Sequence, residues 1–134
     1  MNEDDRQAIK ARVREIIERY QGPALCVTKE QVFVNATGET VIPWRRVDQT
    51  RIIRSLVEEL RQDGCPIGFK GGRCGGYFWA RNDNELASTI NTFHSRAMSG
   101  LRQEAALRRI PMNEVIEQHK LELKEQDSEE TNTH

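Results

Sequence analysis

Aromatic residues are scarce in this chain, at 6% of 134 positions, and the hydrophobic class reaches only 37%. So little apolar material supports one small core with exposed helices around it rather than a large core. No apolar run approaches the roughly 20 residues that a membrane-spanning helix needs. The opening segment, MNEDDRQ, is acidic and polar, unlike a secretory signal, so the expected compartment is the cytoplasm. Cysteine is limited to Cys26, Cys65 and Cys74, an odd and scattered set that argues against a disulfide framework. No cysteine pair has zinc-knuckle spacing, and His94, His119 and His134 are not placed to complete one, so no metal or other cofactor is expected. A thiol–imidazole pair drawn from Cys26, Cys74, His94 and His119 has no local motif behind it. Asp4-Asp5 and Glu58-Glu59 are neighbours that splay on a helix instead of converging on a cation. The chain is therefore not expected to be an enzyme.

What is abundant is charge, at 31%, and its distribution is uneven. The formal total is −1, yet from Arg45 to Arg109 twelve Lys and Arg stand against seven Asp and Glu. From Pro111 onward two lysines face seven acids. A basic middle beside an acidic tail suits a polyanion-binding surface, although a basic patch alone is a weak signal.

The pattern predicts a first helix over about 4–20, with Ala8, Ile9, Val13, Ile16, Ile17 and Tyr20 on one face. Gly22-Pro23 stops it. Between Ala24 and Trp44 two readings compete. Val32, Val34, Val41 and Ile42 have strand character around a turn at Asn35–Gly38, whereas Thr28-Lys29-Glu30-Gln31 has the form of a helix cap. The favoured reading is a short strand at 40–42, then a short helix opened by Pro43 and running to Val47. Asp48 is the expected N-cap of a helix over 48–63 whose Ile53, Leu56, Val57 and Leu60 face a core. A hairpin follows over 67–79, with a loop holding four glycines in seven residues. Within it Phe78 is expected in the core, opposite Tyr77 and Trp79. A long helix capped by Asn82 and Glu85 extends to about Arg109, and a further one covers about 112–124. The division is then 1–81 as a domain, 82–126 as a helical extension, and 127–134 as a disordered tail.

The stretch RIIRSLVEELRQDGCPIGF followed by GGYFWA resembles the recognition helix and wing of winged helix-turn-helix proteins of bacterial, phage and mobile-element type. Leu60-Arg61, then Gly64, Pro66 and Ile67, then Gly75-Gly76-Tyr77 carry that resemblance, which covers about a quarter of the chain. It implies an α+β, mostly helical fold, duplex DNA as the partner, and a role in transcription regulation. The alternatives are a replication or recombination accessory factor using the same domain, and a winged-helix module that contacts protein. Helices enter the major groove with their N-terminal residues at base edges, which makes Thr50, Arg51, Arg54 and Ser55 the candidate readers. Arg45 and Arg46 are candidates to grip the backbone, and Lys70 and Arg73 in the wing to reach a phosphate or adjacent groove. Arg54 has a competing reading as partner of a carboxylate within the domain. Arg61 is expected to pack rather than touch DNA. The apolar stripe Leu86, Ile90, Phe93, Ala97 and Leu101 has no obvious partner and implies a homodimer.

Overall fold

In a computed structural model, residues 1–73 and 75–132 are described, with side chains to Gln126. The protein is α+β and mostly helical, with one two-stranded antiparallel sheet among the described residues. It divides into two compact units, residues 1–89 and residue 90 onward.

The first unit opens with α1, Glu3–Glu18. The Asn2 side chain accepts from the Asp5 N–H at 2.8 Å, and Glu3, Asp4 and Asp5 sit at the positive end of the helix dipole. The apolar face buries Val13, Ile16 and Ile17, as the periodicity predicts. After a single 3-10 turn at Pro23–Leu25 the chain reaches Val27. Its N–H and C=O both bond Tyr77 at 2.8 Å, making Val27 a one-residue third strand.

The segment that follows is the principal departure from expectation. There is no strand at 40–42 and no helix at 43–47. Instead α2 spans Lys29–Thr37. The reciprocal cap decides its start: Thr28 Oγ1 accepts from the Gln31 N–H, and Gln31 Oε1 accepts from the Thr28 N–H, both at 3.1 Å. Burial decides its type, because the helix places Val32, Phe33 and Ala36 in the core beside α1. A strand at Val41-Ile42 would bury less, next to a proline. β-propensity of the valines yields to tertiary packing. Gly38 ends α2 in the left-handed region at φ 76°, a conformation glycine adopts without strain.

Helix α3, Arg51–Gln62, buries Ile53, Leu56, Val57 and Leu60. It begins later than the Asp48 cap implied. Thr50 is the N-cap residue, and the Asp48 carboxylate lies two residues outside it, accepting from the Thr50 N–H at 2.9 Å. Strands β1 (Ile67–Lys70) and β2 (Gly76–Trp79) pair Ile67 with Trp79 and Phe69 with Tyr77. Ile67 and Tyr77 join the core, so Tyr77 is more buried than expected. Phe78 is 2% exposed on the opposite face, over Gly68, where an added Cβ would sit 2.2 Å from the ring.

Helix α4, Asp83–Arg108, starts at the expected Asn82, with the Glu85 N–H donating to Asn82 Oδ1 at 3.1 Å, but the Glu85 carboxylate accepts from the Arg81 N–H at 2.7 Å rather than closing a box on Asn82. Its buried Thr89 hydroxyl meets the outer edge of β1, accepting from the Phe69 N–H at 3.0 Å and donating to the Phe69 C=O. One side chain thus occupies edge groups that would otherwise recruit another strand.

The second unit holds the rest of α4, a turn at Arg109–Pro111, and α5, Met112–Asn132. Arg109 takes φ 57°, and the Ile110 N–H bonds the Ala105 C=O to close the helix. Ala105 and Val115 are its buried apolar residues among those described. The tail expected from residue 127 is helical to Asn132, and residues 133–134 lie outside the described residues.

Candidate nucleic-acid interface

Between Gly38 and Arg51 the chain crosses the surface without regular structure, yet its base is fastened. Gln49 Oε1 accepts from the Ile42 N–H at 2.7 Å, and Gln49 Nε2 donates to the Thr40 C=O at 3.4 Å. The Arg45 N–H returns to the Ile42 C=O at 3.2 Å, closing a turn with Pro43 at its second position. Trp44, Arg45, Arg46 and Val47 stand exposed on this turn. Trp44 is 85% exposed, the most exposed aromatic side chain among the described residues.

Arg51 and Arg54 continue this surface from the first turn of α3, and both are exposed. From residue 40 to residue 57 the sequence holds four arginines and a single acid, Asp48. That acid is engaged: Thr50 donates to it through hydroxyl (2.6 Å) and N–H, and Arg54 forms an ion pair with it. The Thr50 hydroxyl above all, then its N–H, holds the Asp48 carboxyl below the usual carboxylate range. Arg45, Arg46 and Arg51 enter no ion pair among the described residues.

Two expected members leave the surface. Thr50 is 2% exposed and its hydroxyl is committed to Asp48. Ser55 stays exposed but turns toward α1, its hydroxyl accepting from Arg6 Nη2 at 3.1 Å. Glu59 and the C-cap residue Asp63 face the same way: Arg6 pairs with Glu59, and Lys10 Nζ lies 2.8 Å from Asp63, while Glu58 is exposed. The helix is therefore divided electrostatically. At its acidic end Glu59 and Asp63 are paired with α1, and its basic start is open. Arg61 packs, as expected: Nε donates to the Ile67 C=O at 2.8 Å and burial lowers its pKa. It ties α3 to the hairpin.

Lys70 at the end of β1 and Gly71, Gly72 and Arg73 in the loop after it are exposed, and Cys74 lies outside the described residues. The glycines divide by role. A Cβ on Gly76 would lie 2.2 Å from the Val27 C=O oxygen, so that position serves strand approach. At Gly71 and Gly72 an added Cβ meets only open space, leaving the tip free to near another surface.

Elsewhere, an open groove of about 420 Å³ is lined by Arg12, Glu15, Ile16, Arg19, Tyr20 and Asn35. No cluster of metal-ligating side chains occurs among the described residues, and no helix is long and apolar enough to cross a membrane. Of the predicted stripe, Leu86 and Leu101 are half-buried, while Ile90, Phe93 and Ala97 are exposed. Leu107, Leu121 and Leu123 are exposed as well, and the sequence pattern did not single them out as a surface. For Trp44 the sequence carries one signal, the word Trp-Arg-Arg after a proline. No family model, curated protein or solved structure matches this chain.

Proposed function

We propose that the first unit is a winged helix-turn-helix domain that binds double-stranded DNA, acting as a transcription regulator of phage or mobile-element type. The element order supports this: α1, the bridging Val27, α2, α3, then the β1–β2 hairpin as wing. The observation that carries the reading is the divided α3. Glu59 and the C-cap Asp63 are turned to α1 and Glu58 is exposed towards the end of the helix, while Arg51 and the preceding Arg45 and Arg46 are left open to a polyanion. In this arrangement Arg51 reads a base edge, Arg45 and Arg46 hold phosphates, and Lys70 and Arg73 extend the contact from the wing.

The regulator acts as a homodimer through the second unit. Ile90 and Leu107 are 58% and 86% exposed, and Leu121 and Leu123 about 60%. A unit that buries so little cannot hold apolar side chains in water without loss. From residue 90 to 110 there are four arginines and one acid, and α5 is strongly acidic. A second copy offers the complementary charge on each side, and twofold pairing presents two recognition helices to a palindromic site.

Selection of bound sequences from random duplex DNA, followed by titration of the selected site, tests the function. Arg51→Ala should weaken that site by about 1–3 kcal/mol with the circular dichroism spectrum retained. No selected sequence and no salt-dependent retention of duplex DNA would refute the reading.

A further inference from the structure

We infer that Trp44 is a base-stacking platform, and that the preferred ligand is a duplex carrying an unpaired base rather than a fully paired one. This rests on the DNA-binding reading above and goes beyond it.

The first argument is exposure against the habit of the fold. In the first unit Phe33, Tyr77 and Phe78 are buried, Trp79 is half-buried with Arg14 over its ring at 5.8 Å, and Phe69 is 48% exposed with its ring edge-on to Tyr77. Trp44 stands out in water at 85% exposure. The second is presentation. The indole is carried on a turn closed by the Arg45 N–H and held at its base by the Gln49 amide, so the backbone that presents it is placed before any ligand arrives. A loop backbone already placed loses less freedom on binding.

The third argument selects the partner. An exposed tryptophan beside arginines also fits a protein contact. Here, however, the turn and the start of α3 bring four arginines against one acid, and that acid is already engaged by Thr50 and Arg54. A surface of this charge suits a phosphate backbone. Arg45 and Arg46 follow the indole directly, so a base on the ring would place its own phosphates beside them. The fourth argument selects the state of the DNA. Both faces of a base inside a duplex are covered by its neighbours. The indole needs a base that a bulge, a gap or a strand end has already released. Stacking of this kind is indifferent to base identity, because every base has a π face. Sequence would be read by Arg51 and structure by Trp44.

The test compares a blunt duplex holding the selected site with the same duplex interrupted by a bulge of unpaired thymines. The full chain and its Trp44→Ala and Trp44→Phe variants are titrated against both, with circular dichroism as the folding control. The wild type should bind the bulged duplex about tenfold more tightly and show tryptophan quenching on it. Trp44→Ala should lose that preference while keeping its affinity for the blunt duplex, and Trp44→Phe should keep part of it. Equal wild-type affinity for the two duplexes overturns the stacking role and leaves the DNA reading standing. The same holds if the preference survives in Trp44→Ala, or if that variant weakens both duplexes alike. A wild type that binds neither overturns the DNA reading and this inference together.

Discussion

Removing the charge of Asp48 should strengthen DNA binding. Asp48 is the one acid among the four arginines between residues 40 and 57, and it pairs with Arg54. Asp48→Asn keeps an amide oxygen that can still accept from the Thr50 N–H and hydroxyl, so the start of α3 is preserved. What is lost is the negative charge, and with it the restraint on Arg54. Arg54 then adds one phosphate contact. Each such contact steepens the dependence of log affinity on log salt by about 0.9, so raising salt from about 50 to about 200 mM costs the variant roughly 3.5-fold more than the wild type. Anisotropy titrations of one duplex at several salt concentrations measure this. Arg54→Ala completes a double-mutant cycle: small on its own, it should erase the gain in the Asp48→Asn background. The carboxyl is held below its usual range, so the charge is fully present at neutral pH and the effect should not vary between mildly acidic and mildly basic buffers. An unchanged salt slope, or weaker binding by a natively folded Asp48→Asn, would refute the reasoning and turn this surface away from phosphate.

In the hairpin, Gly68→Ala would put a Cβ 2.2 Å from the buried Phe78 ring, and overpacking of this kind costs about 1–3 kcal/mol. Thermal melts should show a Tm lower by about 4–8 °C for each kcal/mol, partly restored by Phe78→Leu; an unchanged Tm would mean that the ring yields freely. In the second unit, the bond to Glu104 at 2.8 Å, aided by Glu122, raises the pKa of His119 above its ordinary 6.5. Its contribution is therefore complete below that value and lost as pH rises through the folded-state pKa, so melts across neutral pH should flatten in His119→Gln. Sedimentation equilibrium should give a dimer for the wild type and a folded monomer for Ile90→Glu, because Ile90 is 58% exposed within one chain. A wild-type monomer at tens of micromolar removes the dimer.

Elements whose burial repeats regularly were legible in the sequence. The apolar faces of α1 and α3 and the Asn82 cap of α4 lie where periodicity and side-chain chemistry put them. Helix α2 was legible only as one of two competing readings: the Thr28–Gln31 cap is there, but Val32, Val34 and the Asn35–Gly38 segment carry strand and turn composition, and only packing beside α1 reveals which signal prevails. The site divides the same way. Arg45, Arg46 and Arg51 are exposed, as charged residues on a polar face should be. Thr50 and Ser55 have the polarity of surface contacts, but their hydroxyls answer to Asp48 and Arg6, and the second lies 49 positions away. Trp44 escaped notice because an apolar ring suggests a core, and nothing local to the sequence says that the connection beneath it stays uncovered.

The clamp at Gln49 has an evolutionary consequence. Thirteen residues separate Thr37 from Arg51, yet the amide of Gln49 reaches back to Thr40 and Ile42 and isolates the tip from the helices. The entropy of closing a loop grows only logarithmically with length, about 0.6 kcal/mol for each doubling. Lengthening, shortening or rewriting residues 43–47 therefore leaves the packing of α1, α2 and α3 nearly untouched. Mutational drift can explore this tip at little risk to folding, whereas a change at Ile53 or Leu56 is exposed to purifying selection at once. Divergence among descendants of this domain should accumulate at Pro43–Val47 first, with new specificities arising there on an unaltered scaffold.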